Sequence, residues 1–141
     1  MLKVDFYVLQ QSGEPARQRF ACRLAEKAWR LNNTVHIRTG DRQQAEHMDQ
    51  LLWTFRDGSF VPHEMYQHNA DNDAPITIGF EIEVAGEHDL MINLSPEVPS
   101  DVRSFPRIAE IVSSDDASRR LSRQHYADYR EQGHTLDTHK L

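Results

Sequence analysis

Apolar residues in the first part of the chain follow two spacings, one typical of buried strands and one typical of amphipathic helices. The segment Lys3–Leu9 is β-branched and aromatic without a breaker, which predicts a buried strand. From Ala16 to Leu31, apolar residues recur at helical spacing with charged residues between them, so a helix is expected. Thr34–Arg38 predicts a second short strand, and Arg42–Trp53 predicts a second amphipathic helix. This order, with short links, indicates a parallel sheet.

The second half of the chain has shorter apolar runs between polar segments. We expect three strands there, at Ile76–Gly79, Leu90–Leu94 and Ile108–Val112. Residues 81–84 predict an edge segment whose glutamates discourage pairing between molecules, and residues 68–73 predict a surface loop. No repeat or linker divides the sequence. It therefore predicts a single three-layer α/β/α domain over residues 1–141, with a mostly parallel, Rossmann-like sheet of about five strands.

The last predicted helix begins near Asp115 and ends before Gly133, because carboxylates favour a helix start and glycine favours its end. One side of it is spaced to rest on a core, with Ala117, Leu121, His125 and Tyr129. Another side places three arginines and a tyrosine within about 60° of one another. These are Arg119, Arg123, Tyr126 and Arg130. From spacing alone, this row is either a solvated face or a binding surface.

The arginine row is notable because the protein as a whole is acidic, with a net charge of -6 and a pI near 5.7. Strong nucleic-acid binders need many basic groups to neutralise phosphates, so the composition argues against strong direct nucleic-acid binding. A local basic stripe on an acidic body would instead select acidic peptides.

Sequence motifs for catalysis or cofactor binding are missing. The loop after the first predicted strand has one glycine and matches neither a dinucleotide fingerprint nor a phosphate-binding loop. There is no Gly-x-Ser-x-Gly elbow. Two histidine pairs are candidate metal ligands: His63 with His68, and His134 with His139. Neither pair has zinc-site spacing, so we interpret them as exposed loop histidines and expect no metal or cofactor.

Targeting signals are also missing from the sequence. No run reaches the roughly 18 apolar residues of a membrane span, and the first residues do not resemble a secretion segment, so we expect a cytoplasmic protein. Cys22 is the only cysteine, which excludes an intrachain disulfide. We interpret it as an inert thiol buried beside the core.

An aromatic stretch follows the second predicted helix. It contains Trp53, Phe55, Phe60, Val61, Met65 and Tyr66. Connecting segments rarely bury so much apolar surface by themselves. The stretch therefore either folds back on the sheet or is covered by a partner protein, since interfaces favour aromatic residues and methionine at their centre.

Five segments carry a combined family signature. They are Asp5–Leu9, Leu24–Arg30, Leu51–Phe55, Ser59–His63 and Leu121–Arg130. Together they resemble the chi subunit family of bacterial DNA polymerase III, over essentially the whole chain. The resemblance implies a small, non-catalytic α/β protein of the clamp-loader assembly that acts in DNA replication. It implies two partners: the psi subunit and the acidic C-terminal tail of single-stranded-DNA-binding protein.

The resemblance also implies which residues meet each partner. The tail site would use Val112, Arg119, Arg123 and Tyr126, and the psi site would use Trp53, Phe60, Val61 and Pro62. Family members can carry a lysine directly after the tyrosine, where this chain has Ala127. Arg130 or Arg120 would compensate in part for that missing charge.

The resemblance favours a partner as the cover of the aromatic stretch. The protein would be a monomer or a heterodimer with psi, and a helicase would be a further candidate at the psi site. Two rival functions remain at the level of sequence. One is an α/β enzyme acting on nucleotides or nucleic acid, and the other is self-association through the aromatic stretch.

Overall fold

The computed structural model describes residues 2–58, 60–66, 73–80, 88–100 and 105–141. The described strands are β1 Lys3–Val8, β2 Val35–Arg38, β3 His63–Met65, β4 Ile76–Gly79, β5 Leu90–Asn93, β6 Arg107–Val112 and β7 Thr135–Lys140. The described helices are α1 Glu14–Arg30, α2 Arg42–Thr54 and α3 Asp116–Glu131. The strands form one sheet in the order β3-β4-β2-β5-β6-β1-β7, and every pair of neighbours is parallel.

The predicted α/β class and parallel sheet are confirmed, but the sheet has seven strands among the described residues where about five were expected. The two extra strands, β3 and β7, form the two edges of the sheet. β3 is only three residues long, and β7 has a single aliphatic residue among six, so neither carries an apolar alternation. The predicted edge segment at residues 81–84 and most of the predicted loop at residues 68–73 lie outside the described residues.

Alternation along the strands separates the core into two layers. On β1, Val4 and Phe6 point to the side of the sheet where Tyr129 of α3 packs. The opposite side is covered by α1 and α2, whose buried positions include Cys22 and Met48. The structure thus has the three layers, α/β/α, that the sequence predicts.

The path of α1 determines which part of the sheet stays uncovered. Because β1 and β2 are separated by β6 and β5 in the sheet, α1 must cross over those two strands. Its first turn is fixed there, since Arg17 Nε donates to the Ile111 carbonyl of β6 at 2.8 Å. On the face of the sheet that α1 covers, β1 and β7 lie beyond the strands that the helix crosses. On that face Tyr7 is only half-buried and His139 is exposed.

Candidate protein-interaction surfaces

Helix α3 rests on the sheet through buried residues that the sequence placed on its inner side. His125 and Tyr129 are buried, Leu121 is half-buried and Ala117 is exposed. The prediction of an inward side is therefore right for the middle and end of the helix, and Ala117 is too close to the helix start to reach the core.

The start of α3 is fixed differently from the prediction. Asp115 occupies the N-cap position, but its side chain makes no capping hydrogen bond to the helix. Its Oδ1 instead accepts from the backbone N–H of Gly13 at 3.0 Å and from the hydroxyl of Ser113. These bonds, with Ser113 contributing most, lower the pKa of Asp115 to about 2. Asp115 thus ties the loop after β1 to the start of α3 and aligns the two elements.

The predicted row on α3 is exposed, and we call Arg119, Arg123, Tyr126 and Arg130 the α3 row. All three guanidiniums are exposed, and none forms a salt bridge with an acidic group in the described part of the chain. The Tyr126 ring is 36% exposed and lies 5.4 Å from the ring of Phe6 on β1. The structure therefore brings unneutralised arginines next to an aromatic surface.

Val112 occupies a different place from the one expected for a contact residue. It is only 4% exposed and packs in the core layer beneath α3. Its register partner on β1, Val8, is half-buried and packs against the same layer. The available apolar surface beside Tyr126 is thus supplied by Val8, while Val112 supports it from below.

Lys140 is a charged neighbour of this surface that sequence reasoning missed. It is exposed on β7 and pairs in register with Val8. Side chains of residues in register on parallel strands point to the same face of a sheet. Lys140 therefore lies on the α3 side, at the same level as Val8 and Val112. No sequence signal marks it, because its position depends on an edge strand without apolar alternation.

The second surface lies at the end of α2 and consists of Trp53 and Phe60, which we call the Trp53–Phe60 pair. The two side chains are 47% and 63% exposed, with ring centroids 5.4 Å apart. Trp53 also lies 4.6 Å from the ring of His63. The His63 side chain is fully buried, and its two ring nitrogens lie 2.6 and 2.9 Å from the carbonyl oxygens of Val61 and Asp49. A fixed imidazole thus holds the tryptophan ring at the surface.

The remaining residues of the aromatic stretch are divided between the core and the surface. Val61, predicted to contact a partner, is fully buried in the α1–α2 core layer, and Pro62 is half-buried. Phe55 and Met65 are half-buried against the same layer. Part of the stretch therefore folds back on the sheet, and the Trp53–Phe60 pair stays outside.

The histidines of the two predicted pairs and Cys22 lie in different environments. The His63 side chain is buried, so the interpretation as an exposed loop histidine is wrong for it. His139 is exposed as expected but lies on β7 and not in a loop, and His68 lies outside the described residues. His134 lies in the short connection between α3 and β7, where it is half-buried. Cys22 is buried, and burial raises the pKa of its thiol to about 12, as expected for an inert thiol. The described residues include no group of three that could hold a metal ion.

Fold and surfaces together define the class: a small parallel α/β protein with an exposed row of arginines and an exposed aromatic pair at opposite edges of its sheet. Residues 1–137 match the family described as DNA polymerase III chi subunit, HolC. The chain is 40% identical to DNA polymerase III subunit chi of Pseudomonas aeruginosa over 141 residues, covering 100% of this chain and 98% of that protein. The protein belongs to the DNA polymerase III chi subunit family. It therefore has an accessory role in DNA replication, as a component of a multi-subunit complex.

Two further relatives agree with this assignment, and one solved structure shares the fold. The chain is 33% identical to the chi subunit of Haemophilus influenzae, covering 97% of this chain and 96% of that protein. It is 28% identical to the chi subunit of Escherichia coli, covering 98% and 97%. The crystal structure of T4 UvsW has a TM-score of 0.70 at 8% identity, covering 99% of this chain and 41% of that one. This last similarity concerns the fold alone. No helix in the described ranges has the length and apolar character needed to cross a membrane.

Proposed function

We propose that the protein is a non-catalytic adaptor, one domain over residues 1–141, that links the psi subunit to the acidic C-terminal tail of single-stranded-DNA-binding protein. The observation that carries this proposal is the pairing of the exposed, unneutralised α3 row with an aromatic pair at the opposite edge of the sheet. Two surfaces of different chemistry, set apart on one rigid sheet, suit a protein that holds two partners at once.

The α3 row suits an acidic peptide that ends in an aromatic residue. Guanidiniums of Arg119 and Arg123 offer forked donors that match carboxylates. Tyr126 with Phe6 beneath it, and Val8 beside them, form an apolar ledge for the terminal ring. One arginine is then available for the α-carboxylate of the same residue. The affinity arises from both parts, because a ring on the ledge places the carboxylates within reach of the arginines.

Ala127 lacks the positive charge that a lysine at this position would bring, and neighbouring cations replace it in this proposal. Arg130 lies on the same side of α3 as Arg123, but about two turns towards its C-terminal end. Lys140 lies at the level of Val8, near the start of α3, and is exposed. We assign the replacement charge in part to Arg130, three residues beyond Ala127, and to Arg120, while Lys140 adds a further cation near the start of α3.

The Trp53–Phe60 pair is assigned to psi, with Pro62 at its border and Val61 as the buried support. Two exposed aromatic rings in contact are typical of the centre of an interface. A helicase that uses the same aromatic pair would compete with psi for it.

A calorimetric titration with a tail peptide tests the assignment. We expect an affinity near micromolar, or roughly -8 kcal/mol. Arg123→Ala should weaken tail binding about ten-fold, since a charge-assisted contact is lost, and should leave psi binding unchanged. Phe60→Ala should do the reverse. Arg42→Ala, an exposed arginine on α2, makes the same change of net charge and should affect neither. Unchanged tail binding by Arg123→Ala would show that the tail site is misplaced.

A further inference from the structure

A large cavity in the described part of the structure lies away from both surfaces above. It is about 860 Å³ in volume and lies between α1 and β1, with further lining residues at the starts of β5 and β6 and at Leu141 after β7. Pockets that bind ligands usually have volumes of about 300–1,000 Å³. We call this cavity the α1 groove.

Apolar side chains form much of the wall of the α1 groove. The aliphatic ones are Leu9 after β1, Leu24 on α1, Leu31 at the end of α1, Leu90 on β5 and Leu141 after β7. Two aromatic residues, Tyr7 and Phe20, meet inside it with ring centroids 5.4 Å apart. Leu31 and Leu141 are 66% and 51% exposed, so this apolar surface is open to solvent.

The rim of the α1 groove is basic. Arg23 and Lys27 lie four residues apart on α1, line the groove, and are both exposed. Neither forms a salt bridge with an acidic residue within the described ranges. Arg19 continues the same line one turn earlier on the helix and is also exposed. The helix therefore presents two cations at the cavity, and Arg19 extends the row beyond its lining.

The acidic residues that line the α1 groove do not neutralise the cations of α1. Asp5 is buried at its base, where Arg107 and His139 donate to its carboxylate at 2.8 and 2.9 Å. Burial acts to raise the pKa of Asp5, but these two hydrogen bonds hold the pKa below its ordinary value, so the charge is present and already neutralised. Asp89, at the other end, accepts hydrogen bonds from Thr34. The cations of α1 thus remain available to a ligand.

A nucleic-acid ligand fits this groove poorly. Bases bind single-strand sites by stacking on open aromatic faces. Here the imidazole of His139 is stacked on Tyr7, 5.0 Å away at an angle of 20°. The guanidinium of Arg23 covers Phe20 at 5.7 Å. Both aromatic residues therefore already carry a stacked neighbour, while the aliphatic wall suits leucine, isoleucine or phenylalanine side chains.

We propose that the α1 groove is a second acidic-peptide site, which binds an acidic segment of a partner protein that carries large apolar side chains. The apolar side chains fill the cavity and the carboxylates meet Arg23 and Lys27. The site lies on the sheet face opposite to the α3 row, so it is independent of the tail site and of the function proposed above.

Fluorescence anisotropy with a labelled peptide, acetyl-Asp-Glu-Leu-Asp-Asp-Leu-Phe-Glu-amide, tests the proposal with the whole chain. The amide removes the α-carboxylate on which the α3 row depends, so the two sites are distinguished. We expect Arg23→Ala with Lys27→Ala to weaken binding about ten-fold. Arg119→Ala with Arg123→Ala removes the same number of charges and should change binding by less than about two-fold.

Three outcomes would overturn the proposal. The first is equal binding of a peptide with asparagine and glutamine in place of its acids. The second is a larger loss in the α3 double variant than in the α1 double variant. The third is tighter binding of an oligothymidylate than of the peptide, with the same dependence on Arg23 and Lys27, which would assign the groove to single-stranded nucleic acid.

Discussion

At the scale of single residues, Glu110 is the most unusual group in the described core. Its carboxylate is buried and accepts from Tyr129 and Asn93, both at 2.7 Å, and from His125 Nδ1 at 3.0 Å. The other ring nitrogen of His125 donates to the Pro96 carbonyl at 3.0 Å. Both partners of the imidazole offer acceptor oxygens, so the protonated ring satisfies both at once. A buried charge pair of this kind holds α3 in one position on the sheet.

This pair predicts a pH dependence of stability. Burial acts to lower the pKa of His125, but the hydrogen bond and charge of Glu110 raise it above its ordinary value of 6.5, with a smaller contribution from Asp128. Its contribution to the free energy of unfolding is therefore fully present below about pH 6.5 and is lost as the pH rises through the folded-state pKa. His125→Gln should cost about 3 kcal/mol at pH 6 and clearly less at pH 9.

Urea unfolding of both proteins at pH 6 to 9 measures this difference. His36 titrates with the opposite sign, because burial lowers its pKa well below the ordinary value and protonation favours the unfolded state as the pH falls. It is present in both proteins, so the difference between them isolates His125. A difference that does not change with pH would mean that the imidazole is neutral in the folded protein.

At the scale of elements, α3 and the sheet edge β7 together form the surface proposed for the tail, which we call the tail surface. α3 supplies the arginines, whereas β7 supplies Lys140 through its register with Val8. Lys140→Ala should therefore weaken tail-peptide binding by about five-fold, as for one partly exposed charge pair. Lys140→Arg keeps the charge and should restore the affinity in the same titration. Equal affinities of all three proteins would remove Lys140 from the site.

The elements also show how much could be predicted from the sequence. The helices were predictable because apolar spacing and breakers determine them, and the outward side of α3 followed from its 3.6-residue period. The register of β7 with β1 was not predictable, because only Leu136 among its residues packs in the core. The depth of Val61 and Val112 was not predictable either. It depends on which neighbours cover them, and periodicity does not contain that information.

At the scale of the whole molecule, the strand order sets the distance between the two proposed partners. The Trp53–Phe60 pair lies beside β3 and the tail surface lies beside β7, with six inter-strand spacings between these edges. At ~4.8 Å each, the edges are roughly 29 Å apart. α2 and α3 also lie on opposite faces of the sheet. Sequence alone could not provide this arrangement, since strand order follows from the crossover connections.

This separation predicts that the two partners bind without coupling. Sites this far apart, with no shared side chain, add their free energies to within about 0.5 kcal/mol unless the sheet between them has two conformations. The tail peptide should therefore bind the preformed complex with psi as it binds the chain alone, within about two-fold. Calorimetric titration of both samples measures the ratio. The salt dependence should also be equal in both, because the same exposed charges are screened. A ten-fold difference would mean that psi reaches across to the tail surface or changes its conformation, and the protein would then be a switch rather than a passive link.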